Sequence, residues 1–155
     1  MKQRISRLFS NDVLFVLVLA CLYIAVGLIM HYHPNEKLPC ASVQGSSNCA
    51  FVLERVVTPE ARELGLSGRE SLGSDSAMLF EFKNAARQCI WMKDMKFSID
   101  IVWIDKDGKV IRLAHNVSPA SYPEQFCADN TTYVLETVAN ATKARNIVVG
   151  SVIRL

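Results

Sequence analysis

Apolar positions along this chain fall into three regimes. From Val13 to Met30 they are continuous, "VLFVLVLACLYIAVGLIM", with no charged residue among them. From His31 to Asn48, "HYHPNEKLPCASVQGSSN", polar residues, prolines and a Gln-Gly-Ser-Ser-Asn run dominate, the pattern of a linker. From Ala50 onward apolar residues return in short runs that alternate with polar ones, the period of strands half-buried in a sheet.

Within that last part the elements can be read in order. "AFVLERVV" (Ala50–Val57) predicts a strand. Thr58 followed by Pro59 supplies an N-cap hydroxyl and a first-turn proline, and Gly65 stops the short helix they begin. "SGRESLGSDS" is a loop. "MLFEF" predicts a strand with Met78, Phe80 and Phe82 on one face and Leu79 and Glu81 on the other. "CIWMK" and "IVWID" predict two more strands, joined by the polar turn "DMKFSID". "DKDG" (Asp105–Gly108) is a hairpin signal with "KVIRLAHNV" as the returning strand. "YVLETV" predicts a strand, "ANATKARN" a short helix, and "IVVGSVIRL" a closing strand interrupted at Gly150. Six or seven short strands with two short helices predict an α+β domain, built on a compact, mainly antiparallel sheet or open barrel.

The apolar run adds a membrane to this picture. Eighteen helical residues span about 27 Å, close to the ~30 Å hydrocarbon core of a bilayer. Lys2, Arg4 and Arg7 precede the run, and Glu36 and Lys37 beyond it cancel, which places the N-terminus in the cytoplasm and the rest outside. The run ends at "MHYHP", a poor cleavage site, and "VLAC" (Val18–Cys21) continues apolar where a lipobox turns polar, so an uncleaved anchor is the reading, ahead of a cleaved or lipidated signal. The expected organisation is a cytoplasmic N-terminus (1–12), a transmembrane anchor (13–30), a linker (31–49) and an exported domain (50–155). The expected location is the inner (cytoplasmic) membrane, single-pass, with the domain periplasmic or extracellular.

Charge excludes one class of partner. The chain carries a formal +2, which comes from the first 49 residues, since basic and acidic residues balance in 50–155. A neutral domain lacks the basic footprint of a nucleic-acid binder. Of five cysteines, Cys21 lies in the apolar run and Cys40, Cys49, Cys89 and Cys127 in the exported part, where disulfides persist. Four cysteines allow three pairings; locality favours Cys40–Cys49, with Cys89–Cys127 tying distant parts of the domain. With no Cys-x-x-Cys and His115 the domain's sole histidine, no metal and no cofactor are expected.

Alternation singles out two carboxylates. Asp100 shares a strand face with Val102 and Ile104, and Glu136 with Val134 and Val138. An inward carboxylate costs several kcal/mol unless paired or hydrogen-bonded, and Arg69, Lys93 and Arg112 are the expected partners. Structurally, each is a buried ion pair or a cap on loop amides; functionally, Asp100 and Glu136 line one cleft as an acid/base or sugar-binding pair. Trp103 reads as core. Trp91 alternates with Cys89 and Lys93, a more polar face suited to stacking on a sugar or aromatic ligand. The spacing Cys89-x-x-Met92-x-x-Met95 offers soft ligands of the kind Cu(I) favours, although gap-filling methionines explain it more simply. The histidines at 31 and 33, beside Met30, are read as boundary residues.

Five blocks in this order resemble a known family, the prokaryotic domain of unknown function 192 family: "TPEARELGLSGRESL" (Thr58–Leu72), "MLFEF", "IWMKDMKFSIDIVWID" (Ile90–Asp105), "YVLE" (Tyr133–Glu136) and "IVVGSV" (Ile147–Val152). The resemblance covers about Val52 to Leu155 and implies a compact α+β domain, often exported, with no established activity. This chain has Asp94-Met95 where the family usually has Asn-Thr, Ala139-Asn140 where it has Ala-Gly, and Gly150-Ser151 where it has Gly-Asp. The reading that results is a membrane-anchored accessory or binding domain of the cell envelope, with cell-wall glycan or an envelope protein as partner. An envelope hydrolase using Asp100 and Glu136 is the alternative, and a copper carrier the third. Candidate binding residues are Arg69, Trp91, Lys93, Asp94, Asp100 and Glu136.

Overall fold

The computed structural model describes residues 39–155. The predicted anchor (13–30), the N-terminus before it and the first part of the linker lie outside the described residues. Among the described residues no helix is long and apolar enough to cross a membrane.

Seven strands form one sheet: β1 (Cys40–Val43), β2 (Phe51–Val56), β3 (Ser76–Trp91), β4 (Ile99–Ile104), β5 (Val110–Val117), β6 (Gln125–Val138) and β7 (Ile153–Arg154). Their spatial order is β5-β4-β6-β3-β2-β1-β7. Every pairing is antiparallel except β2 with β3, which is parallel. Two short helices, α1 (Pro59–Leu64) and α2 (Ala141–Ala144), complete the predicted α+β domain. The two ends of the sheet meet, because Val110 N–H donates to Ser151 O, Gly150 N–H to Val110 O and Ile153 N–H to Gly108 O. Gly108 makes this closure possible: its φ is +82°, and a Cβ there would lie 2.5 Å from the Ile153 carbonyl oxygen.

Local signals account for α1. Thr58 Oγ1 accepts the Ala61 N–H at 3.2 Å, Pro59 opens the first turn, and Gly65 at φ 51° ends it. Leu66 then turns inward and is buried, while Ser67 Oγ donates to Lys93 O and Gly68 N–H donates to Asp94 O. The helix exit is thereby fastened to the segment between β3 and β4.

The sheet buries both faces. Val102, Ile104, Leu79, Leu135 and Phe51 fill the inner core, and Ile101, Trp103, Met78, Phe80 and Val134 fill an outer one. All six residues of β4 are therefore buried. The outer face is covered because the β3–β6 ribbon breaks register between Glu81 and Gln88. Beyond that break its arm lies against Trp103, whose indole N–H donates to Gln88 O at 3.1 Å, and Ile90, Phe126 and Ala128 pack on the outer cluster.

Several boundaries differ from expectation. "MLFEF" and the start of "CIWMK" are parts of one 16-residue strand, and "YVLETV" is the end of a 14-residue one. The intervening polar residues are strand because each long ribbon partner supplies the other's hydrogen bonds. Cys40–Val43, read as linker, is a strand, since it pairs with both β2 and β7. "IVVGSVIRL" contributes only Ile153 and Arg154 as strand; a turn at Val148–Ser151 around Gly150 interrupts it. β3 and β4 are not neighbours, as β6 lies between them.

The cysteines are paired as locality favours, Cys40–Cys49 and Cys89–Cys127. The second joins directly opposed residues of β3 and β6 and so holds the arm. Its partners are 38 residues apart against 9 for the first. Removing it as a double serine variant is expected to cost about 2–4 kcal/mol, and removing the first somewhat less. Denaturant melts of the two variants check that ranking, and the reverse order would contradict it.

Candidate functional site

Asp100 and Glu136 do not share a cleft. In the β4–β6 register Asp100 lies opposite Thr137 and Ile101 opposite Glu136. Directly opposed residues share a face and neighbours along a strand do not, so the two carboxylates point to opposite sides of the sheet. The expected acid/base pair is thereby corrected: the strands bring the residues close in register but not to one surface.

Asp100 is fully buried and fully satisfied. Its Oδ1 accepts the Asn116 N–H at 2.8 Å and the Asn140 N–H at 3.0 Å; its Oδ2 accepts the Thr142 N–H at 3.1 Å and the Thr142 hydroxyl. Because that hydroxyl proton goes to Asp100, Thr142 Oγ1 accepts from His115 Nδ1 at 3.0 Å. Burial pushes the Asp100 pKa up, but the hydrogen bonds from Thr142, Asn116 and Asn140 outweigh it and hold the carboxyl below its ordinary range. Asn116 and Asn140 both have positive φ, 50° and 67°, conformations that asparagine tolerates and that glycine would serve at the second. Asp100 therefore fastens the end of β5 and the start of α2 to the sheet.

Glu136 has the opposite environment. It is 5% exposed, and its side chain makes no hydrogen bond or ion pair among the described residues. Burial alone raises its pKa to about 8, so at neutral pH it is a protonated, uncharged acid. It lines a cavity of about 230 Å³ between α1, β3 and the arm. Leu66 and Phe80 are the other buried walls; Phe82, Ile90 and Met95 are half-buried, and Trp91 stands at the mouth, 43% exposed. Arg62 and Glu63 are the other charged lining residues. The Arg62 guanidinium is turned to the Val57 and Glu81 carbonyls and stacks 5.2 Å over the Phe82 ring.

A second depression of about 310 Å³ adjoins the first and holds Trp91, Lys93 and Asp94 with Glu60. Trp91, Glu63, Leu64 and Ser67 line both. Of the candidate residues, Glu136 and Trp91 thus line the first cavity and Trp91, Lys93 and Asp94 the adjoining depression, while Arg69 and Asp100 are elsewhere. Arg69 is bound bidentately to Glu54 at 2.7 and 2.5 Å, which lowers the Glu54 pKa and raises that of Arg69. Arg112 donates to Cys127 O and stacks 5.0 Å over the Trp103 ring. None of the cations expected to neutralise the carboxylates does so among the described residues.

Cys89 is oxidised, so the soft-ligand set Cys89-Met92-Met95 has no thiolate; Met92 is fully buried in the outer core. Phe82, Gln88 and Arg62 went unrecognised as lining residues. Only Phe82 carried a signal, its place on the Met78–Phe80 face, and the cavity exists because the arm folds over that face.

Comparisons with known proteins agree with this fold. The model of the domain of unknown function 192 (DUF192) family, described as an uncharacterized ACR, matches residues 41–155. A crystal structure of a protein of unknown function from Novosphingobium aromaticivorans superposes with a TM-score of 0.70 at 25% identity, over 79% of this chain and 90% of that one. One of a proposed transcription regulator from Sinorhizobium meliloti 1021 gives a TM-score of 0.64 at 28% identity, over 67% and 81%. No curated protein matches the chain.

Proposed function

The chain belongs to the domain of unknown function 192 family, and from that premise we propose that it is a membrane-anchored binding domain of the cell envelope that holds its ligand over Glu136. The observation that carries the binding role is the buried Glu136, without a partner among the described residues, in an open cavity. A carboxyl left without a partner costs stability, and such a group facing a cavity is a mark of a site kept for a ligand. The continuous apolar run with basic residues upstream supports the anchor. Two disulfides support an oxidising compartment. Cell-wall glycan is the partner favoured, because Trp91 presents an aromatic surface beside polar groups at the mouth.

A C-terminal alkaline phosphatase fusion to the chain is expected to be active. The full chain in detergent is expected to sediment with isolated cell-wall sacculi, and Trp91→Ala to reduce the bound fraction at least threefold. An inactive fusion overturns the exported placement, and equal recovery with and without sacculi overturns the glycan-binding role.

A further inference from the structure

The cavity's chemistry narrows the ligand. Its buried polar group is the Glu136 carboxyl, which makes no hydrogen bond among the described residues, and its deep walls are Leu66 and Phe80. A cationic ligand is disfavoured because Arg62, from α1, brings a positive charge to the same cavity and already covers a face of Phe82. An anion is disfavoured because Arg62 is engaged with two backbone carbonyls, while Glu63 adds negative charge on the same rim. Among the described lining residues β3 contributes no ionisable group, Cys89 being oxidised, and β6 only Glu136. An uncharged ligand remains.

We infer that the cavity takes an N-acetylated pyranose, its acetamido group seated against Leu66 and Phe80, and its ring on Trp91. This rests on the binding reading above and goes further, to the ligand's chemical class. The protonated carboxyl has one donor and one acceptor side by side. Its O–H donates to the acetamido carbonyl, its carbonyl oxygen accepts from a ring hydroxyl, and the acetyl methyl fills the apolar end. A volume of about 230 Å³ lies below the ~300 Å³ at which drug-sized pockets begin, the scale of one sugar ring. Further rings would lie over the adjoining depression lined by Lys93 and Asp94.

Binding on these terms requires the acid form, so it weakens as Glu136 ionises. Titration calorimetry on the full chain, in a polyoxyethylene detergent free of sugar headgroups, tests it with the N-acetylglucosamine trimer and the glucose trimer as probes. The acetylated trimer is expected to bind at least tenfold more tightly than the glucose trimer. Its affinity is expected to be about tenfold weaker at pH 9 than at pH 6, from a carboxyl titrating near 8. Glu136→Gln keeps a donor and an acceptor and is expected to bind with no pH dependence over that range. Absent binding of the acetylated trimer, equal binding of the two trimers, or affinity that rises with pH overturns the inference. These wild-type results stand whether or not the variant folds. Sedimentation with sacculi in the absence of trimer binding would leave the glycan-binding role in place and remove only this ligand; failure of both removes both.

Discussion

Asp100→Asn is expected to lower the stability of the domain by about 3–5 kcal/mol, because hydrogen bonds to a charged acceptor contribute about 1.5–3 kcal/mol each and the amide can keep only part of the set. All four donors point at the carboxylate, three of them backbone N–H groups that cannot turn away. An asparagine side chain offers one oxygen and one NH2 group. Its NH2 would face donors, so one side of the network is lost in either orientation. That loss is a large part of the ~5–15 kcal/mol that holds a domain together. The carboxyl's folded-state pKa lies below its ordinary value. Its contribution is therefore present above the unfolded pKa and is lost as pH falls through the folded one. Urea melts at neutral pH and under acid conditions check both points. An unchanged midpoint at neutral pH would mean that Asp100 does not fasten the β5 end and α2.

Glu136 is expected to act in the opposite sense and over a different pH range. Its pKa is about 8 in the folded domain against an ordinary 4.5. Between those values the folded state holds a proton that the unfolded state releases, so the contribution of Glu136 to stability is complete below about pH 4.5 and declines until about pH 8. The full decline is of the order of 3–5 kcal/mol, from ~1.4 kcal/mol for each tenfold shift in the equilibrium. Glu136→Gln has no proton to lose and is expected to show none of this decline, so it should outlast the parent at pH 8. Thermal melts of both proteins from pH 5 to 9 check it. Parallel curves would show that Glu136 is solvated and ionised in the folded domain, and would remove the premise of an uncharged site.

The two carboxylates therefore set opposing pH limits from neighbouring strands. Asp100 requires its charge and is supplied with donors for it; Glu136 is supplied with none. A group kept at such a cost has to be explained by what it does, since an apolar residue in its place would pack without penalty. Trp91 lines the Glu136 cavity and is 43% exposed, and Lys93 and Asp94 line the depression that adjoins it; the backbone at Lys93 and Asp94 is held by Ser67 and Gly68, with Asp94 at a positive φ of 56°.

How much of this was legible follows from the range of each interaction. Thr58, Pro59 and Gly65 fix α1 through bonds to residues three or four positions away, so the segment alone announces the helix. The Asp105–Gly108 turn is equally local: Asp105 Oδ1 accepts from the Asp107 and Lys109 N–H groups. Alternation within one strand told that Asp100 and Glu136 are each buried, because side chains change face at every residue. It could not tell that they face opposite ways, since that depends on the pairing of two strands about thirty-five residues apart, and a shift of one residue would have reversed it. The break in the β3–β6 ribbon, which sends the arm over the outer face and makes the cavity, involves exposed polar residues with no periodicity of their own. Nor could the partners of Asp100 be foreseen as cations or as amides. A backbone N–H belongs to every residue but proline, so its part in a site leaves no mark on side-chain identity. Its only trace here is two asparagines, at 116 and 140, in turns where φ must be positive. Local hydrogen bonds and alternation are written into neighbouring residues; the register between distant strands exists only once the chain has closed its sheet.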